Sequence, residues 1–174
     1  MTKIISSKLL HDGFFQLKQD LLEHSSGKIH PYTTLVLQMD AASVLAKDEA
    51  GRWILNREYR YPTGNHLLGA PGGRIDPNEN PIDGARRELL EETGYWADLL
   101  EPLGVSYPFP GICNQRIHFF YAPKAIKKGP QKLDLLESIT TELKTEEELR
   151  QEILSGGHID GILCSALWYF QNRR

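Results

Sequence analysis

Three carboxylates, Glu88, Glu91 and Glu92, fall within five consecutive positions of a segment whose two ends are marked in the sequence. Asn80 is a good N-cap, Pro81 suits the first helical position and Asp83 complements the helix dipole. Gly94 closes the segment as a left-handed C-terminal residue would. A helix over Pro81 to Thr93 follows, with Ile82, Ala85 and Leu89 as its apolar stripe. Glu88 and Glu92 are i, i+4 neighbours, and Glu88 and Glu91 are i, i+3, spacings at which like charges repel. Their sector borders the core-facing Ala85, which puts Glu88 beside a cleft floor. Converging carboxylates in such a place need raised pKa values or a hard cation. Ligands that are all oxygen, with no His or Cys, favour Mg²⁺ or Mn²⁺ over Zn²⁺. Taken alone, three such glutamates are better explained as a solvated acidic helix face.

The surrounding chain reads as strands before and after this helix. Phe14 to Glu23 and Ile29 to Met39 form a hairpin about the Ser25-Ser26-Gly27 turn. Ala42 to Ala46 and Trp53 to Tyr59 flank a second turn at Asp48 to Gly51. A loop around Pro62, Gly64 and Asn65 leads into His66 to Gly73. Leu99 to Tyr107, Gln115 to Ala122 and Ser138 to Leu143 are further strands, and Lys124 to Lys132 is polar and turn-rich. Thr145 and Glu148 make a capping box for a helix that ends at Ser155-Gly156-Gly157. A last helix runs from about Asp160 to Gln171. Such a pattern indicates a mixed α/β fold with helices on the sheet faces and an N-terminal antiparallel β-hairpin. With 174 residues and no linker-like stretch, a single domain over 1–174 is expected, subdivided into a 1–40 β region and a 41–174 core. The net charge of -3 gives no electrostatic case for nucleic acid or an anionic membrane. No apolar run is long enough to span a membrane, the N-terminus lacks a signal peptide's apolar core, and the two cysteines lie in no ligand spacing. These features suggest a cytoplasmic protein.

The glutamates do not stand alone. Gly73, Glu79, Arg87, Glu88, Glu91, Glu92 and Gly94 reproduce the Nudix box, GX5EX7REUXEEXGU, except that Tyr95 replaces the final aliphatic residue. The chain therefore resembles the Nudix hydrolase superfamily. The resemblance implies an α/β/α sandwich and Mg²⁺-dependent hydrolysis of a nucleoside diphosphate linked to another moiety. It implies Glu88 and Glu92 as principal metal ligands, Glu91 as ligand or water-orienting base, and a further ligand from the backbone carbonyl near Gly72. Arg87 and Glu79 would fix the loop against the helix, as an ordinary structural ion pair also would. Gly73 and Gly94 would serve backbone conformation.

Outside the box, Arg57-Glu58-Tyr59-Arg60-Tyr61-Pro62 and Pro110 are similar to the ADP-ribose pyrophosphatase branch. That likeness implies a diphosphate contact from Arg60 before Arg57, although an exposed basic strand end fits the same residues. Glu137, in the sparse acidic stretch Asp134 to Glu137, is the candidate catalytic base. Tyr32, Tyr107 and Phe109 are candidates to stack on a nucleobase, although aromatics of this kind are more often part of a core or a rim. Leu68-Gly69-Ala70-Pro71 departs from the branch's Trp-Glu-Leu-Pro, which keeps GDP-mannose and other nucleotide sugars open beside ADP-ribose. Nucleoside triphosphates, capped RNA ends, dinucleotide cofactors and a nucleotide-sensing role are the other readings. The branch also implies a homodimer built through the N-terminal sheet.

Overall fold

The computed structural model describes residues 2–173. They fall into two compact units: the chain up to Asp40 with Tyr107–Arg116, and Ala41–Ser106 with the chain from Ile117 onward. The inclusion of Tyr107–Arg116 was not foreseen.

The first unit is a three-stranded antiparallel sheet in the order β1-β2-β3, from β1 (Lys3–Asp12), β2 (Gln16–Glu23) and β3 (Ile29–Val36). The hairpin of β2 and β3 keeps one register from Gln16↔Val36 to Glu23↔Ile29. Its turn is closed by His24 N–H to Lys28 O at 2.8 Å, with Gly27 at φ 77°. β1 was not anticipated, because its apolar pairs Ile4-Ile5 and Leu9-Leu10 break any period of two. Two register shifts, at Ile4/Ser6 and Leu9/His11, absorb that irregularity. Every residue of β1 is exposed. Tyr107–Arg116 joins this unit through Asn114, whose amide exchanges hydrogen bonds with Leu37 N–H and C=O at 2.8 and 3.0 Å. Arg116 pairs with Asp40 at 2.6 Å.

The second unit contains β4 (Ala41–Asp48), β5 (Trp53–Arg60), β6 (Asn65–Gly69), β7 (Gly72–Arg74), α1 (Pro81–Thr93), β8 (Tyr95–Trp96) and β9 (Glu101–Ser106). It continues with β10 (Ile117–Lys127), β11 (Ile139–Lys144), α2 (Glu146–Leu154) and α3 (Gly161–Gln171). The main path of the sheet is β11-β5-β4-β10-β8, with β6 on β5, β7 on β4 and β9 on β10. Among the strand pairs of the described residues only β4 and β10 run in parallel, Ile117↔Ala41 to Ala122↔Ala46, so the sheet is mixed. Alternation along the central strands sorts side chains to two cores. Val44, Ala46, Ile54, Phe120 and Ala122 meet Ala85 and Leu89 of α1. Leu45, Trp53, Leu55, Phe119 and Tyr121 meet Leu149 of α2 and Leu163, Ala166 and Leu167 of α3. The sheet thus lies between helical layers, as an α/β/α sandwich requires.

Three boundaries depart from the sequence reading. The stretch from Asn65 to Arg74, for which no strand was read, holds the short strands β6 and β7, because backbone pairing outweighs its glycines. β10 continues through part of the supposedly turn-rich Lys124 to Lys132, past an irregularity between Ala122 and Ala125, to pair with β8. Tyr95 and Trp96 of β8 favour a strand by type but are too short a run to be read as one, and they are paired by that extension.

Candidate active site

α1 begins and ends as its sequence dictates. The Asn80 side chain accepts from Ile82 N–H, Pro81 occupies the first turn, and Gly94 adopts φ 69° with its N–H on Leu90 O. The core stripe of α1 rolls the Glu88 and Glu92 side toward β5 and β7, while Glu91 turns outward. β7 passes close beneath this side. A Cβ on Gly73 would lie 2.6 Å from Oε1 of Glu88, and one on Gly72 would strike the backbone of Ala42 and Ser43. Gly73 therefore lets the acid rest against bare backbone, while Gly72 lets β7 close on β4.

Glu92 is the most enclosed of the acids, at 5% exposure. Its Oε2 accepts from Gly72 N–H at 2.8 Å and from Asn56 Nδ2 at 2.8 Å. Burial pushes its carboxyl well above the usual range against the Gly72 bond, and the charges of Glu88, Glu58 and Glu137 push the same way. Glu88 is also raised by burial, which outweighs the opposing pull of Arg87. Glu58 is raised by burial and by Glu137 and Asp160, with Arg60 opposing. The charge of Glu137 thus adds to the upward shift of all three acids.

Arg87 braces the site from the outer side. Its Nε and Nη2 bond the Oε1 and Oε2 of Glu79, each at 3.0 Å, and Nη2 also reaches Arg74 O at 2.9 Å. Its Nη1 bridges Glu88 at 2.8 Å and Glu91 at 3.0 Å. Glu79 in turn accepts from Asp76 N–H at 2.9 Å, and Arg87 lowers its pKa. The two ends of the motif are thereby tied into one body.

The arginines before the motif separate. Arg57 is engaged by Glu142 at 2.9 Å and Glu152 at 2.5 Å, beside Lys144, so its charge is spent on an ion network that joins β5, β11 and α2. Arg60 is more open and lies 2.7 Å from Glu58 and 3.8 Å from Asp160. Asp160 caps α3 through Ile162 N–H, and its own N–H bonds Leu68 O. Arg60 is therefore held at the rim by two acids, with room to turn toward a ligand.

The segment carrying Glu137 is fastened to the end of α1. Lys132 N–H bonds Glu91 O at 2.7 Å, Lys128 N–H bonds Gly94 O at 2.8 Å, and Lys127 Nζ bonds Thr93 O at 2.6 Å. Gln131 Nε2 donates to Glu92 O. Beyond this grip the tip stands free, with Leu135 at 98% and Leu136 at 95% exposure and Glu137 closing on Asp134 N–H at 2.8 Å. Tyr32, Tyr107 and Pro110 lie in the first unit, where they line an open groove of about 400 Å³ with Thr34 and Ile112.

Asn56, Glu58 and Gln131 were missed by sequence reasoning. Asn56 alone carried a signal, an amide following the apolar run Trp53-Ile54-Leu55.

No three acidic, His or Cys side chains among the described residues converge enough to hold an ion as they stand. Arg87 occupies an oxygen of both Glu88 and Glu91. The donor chemistry nevertheless fits a hard divalent cation. Glu88 and Glu92 are desolvated carboxylates beside the Gly72–Gly73 backbone, and partly exposed Glu91 would need only to leave Arg87 to join them.

A family model described as the NUDIX domain matches residues 37–153. An ADP-ribose pyrophosphatase of Bacillus subtilis is 29% identical over 138 residues, covering 79% of this chain and 75% of that protein. A GDP-mannose pyrophosphatase of Pectobacterium atrosepticum is 36% identical over 129 residues, covering 68% of this chain and 66% of that protein. The crystal structure of an ADP compounds hydrolase superposes with a TM-score of 0.86 at 22% identity, covering 98% of this chain and 92% of that one. That last likeness is one of fold.

Proposed function

From the premise that this chain belongs to the NUDIX family, we propose that it hydrolyses the pyrophosphate bond of a nucleoside diphosphate sugar, with ADP-ribose the foremost substrate. The observation that carries this reading is the pair of desolvated carboxylates, Glu88 and Glu92, set against Gly72–Gly73 and braced by the Arg87–Glu79 fork. Substrate choice is supported by the two relatives, which act on ADP-ribose and GDP-mannose by name. GDP-mannose is the second reading, because the relative bearing its name is the more identical of the two over the matched stretch.

Glu88, Glu92 and the Gly72 carbonyl would hold a divalent cation, Mg²⁺ with Mn²⁺ as substitute, and Glu91 would join them on release from Arg87. When bound, the cation offsets the negative charge of the pyrophosphate and lowers the pKa of water. The protein's own part is positioning and charge compensation, the terms that dominate phosphoryl transfer. Arg60 binds the diphosphate, whereas Arg57 holds the strand that presents it. Water forms a new bond to one phosphorus as the bridging P–O bond breaks, and its proton passes to Glu137 or Glu91. The products from ADP-ribose are AMP and ribose 5-phosphate.

The proposal includes a cytoplasmic setting and a homodimer formed through the β1–β3 sheet, with no nucleic-acid or membrane partner. Among the described residues, no helix is long and apolar enough to cross a membrane. A nucleotide-sugar panel in ¹⁸O-labelled water, with Mg²⁺ and product identification, tests the reaction. AMP from ADP-ribose is expected. Release of neither AMP nor GMP from any member of the panel ends the reading. Glu92→Gln is expected to lower kcat by about 10²–10³-fold, the scale for loss of one preorganised electrostatic group. A nucleotide sensor would instead keep its ligand response in that variant.

A further inference from the structure

Asn56 is the odd residue of its strand. Trp53, Ile54 and Leu55 before it are fully buried, and Asn56 continues the run at 3% exposure. It shares the α1 side of the sheet with Ile54, two residues back. There its Nδ2 donates to Oε2 of Glu92 at 2.8 Å, while its own Oδ1 has no partner among the described residues. A buried amide with one end unpaired is a poor stabilising device, since an apolar side chain of similar shape would remove the penalty. Such a group in a folded site calls for a functional reason.

Lone-pair arithmetic supplies one. Oε2 of Glu92 also accepts from Gly72 N–H at 2.8 Å. A carboxylate oxygen has about two acceptor directions, so Asn56 and Gly72 fill those of Oε2. Oε1 is the oxygen left to bind something else. Glu88 and Glu91 differ, because their bonds come from Arg87 on the same helix.

The geometry points to Asn56 as a positioning residue that locks Glu92 so that Oε1 alone is offered to a divalent cation. This assignment rests on the metal-dependent reading proposed above and is independent of which nucleotide sugar is cleaved. An acid restricted to one oxygen suits a small cation with a strict octahedral shell. It suits Ca²⁺ less, since that ion often takes both oxygens of a carboxylate. Asn56 thereby contributes to the choice of metal as well as to its affinity.

The test is Mn²⁺ titration of the full chain by electron paramagnetic resonance, with thermal melting as a check on folding. Asn56→Leu is expected to weaken Mn²⁺ binding by about 10–100-fold, the range for loss of a group supporting a ligand. Ca²⁺ binding should weaken less, and kcat should fall while KM for ADP-ribose stays within about twofold. In a Glu92→Gln background the same change should add less than about threefold, because the two residues act as one unit. An Asn56→Leu protein that melts like wild type and binds Mn²⁺ as tightly overturns the assignment and leaves the proposed reaction intact. Wild-type protein that binds no Mn²⁺ overturns both. If Asn56→Leu does not fold, the side-chain amide signals of Asn56 in ¹⁵N-labelled wild-type protein decide the matter. They should shift as Mg²⁺ saturates the site, and their failure to move overturns the assignment.

Discussion

Glu92 serves as an acid in the proposed reaction and is costly as an acid for folding. Its folded pKa lies well above the ordinary value because of burial. Between the unfolded and folded values the native state binds the extra proton, so its stability falls as pH rises through that window. Without metal, Glu92→Gln should therefore melt above wild type at pH 8, and the gap should close toward pH 5. Melting curves in a chelating buffer check this, and a gap independent of pH would contradict it. Arg87 presents a different case, in which one guanidinium serves Glu79, Glu88, Glu91 and Arg74 O together. Lysine keeps the charge but lacks the planar fork. Steady-state kinetics of Arg87→Lys should show kcat lowered by about 10–100-fold, typical of a lost supporting group. A variant at wild-type rate would show that charge alone suffices.

At the scale of elements, the C-terminus of α1 is the point where helix and loop are joined. Gly94 combines φ 69° with a position where a Cβ would collide with the backbone of Gly129. Gly94→Ala should cost more than the roughly 1–2 kcal/mol of a left-handed residue alone, because the collision adds to it. Urea denaturation measures the loss, and a cost below about 0.5 kcal/mol would mean the two backbones separate freely. This helix was legible throughout: Asn80, Pro81 and Gly94 are local signals, and local signals do not depend on tertiary partners. The capping box of α2 was legible for the same reason. β1, β6, β7 and β8 were not, since each is defined by a partner strand distant in sequence. In the site, Gly73, Glu79 and Arg87 could be read from fixed spacing along the chain. Asn56 could not be assigned its role, because its link to Glu92 spans 36 positions and exists only once β5 lies under α1. Arg57 shows the opposite failure: the sequence displays a cation, and folding surrounds it with Glu142 and Glu152.

At the scale of the molecule, the β1–β3 sheet leaves Ile4, Ile5, Leu9, Leu10, Phe14 and Phe15 exposed. An apolar surface of this kind, on and beside an edge strand ten residues long, supports the proposed association. Light scattering after gel filtration should give twice the chain mass, and Leu9→Lys should shift the protein toward monomer. A wild-type monomer at working concentration would remove the homodimer. The grip of Lys127–Lys132 on α1 has a consequence for how such an enzyme could be altered. Much of that grip closes on main-chain carbonyls, which any residue supplies, and it ends before residue 133. The tip at 133–136, short of the candidate base Glu137, is thus a replaceable cartridge, open to lengthening or rewriting while the helix behind it keeps its seat. Libraries confined to those four positions are where a change of preferred sugar would be sought without touching the proposed catalytic acids.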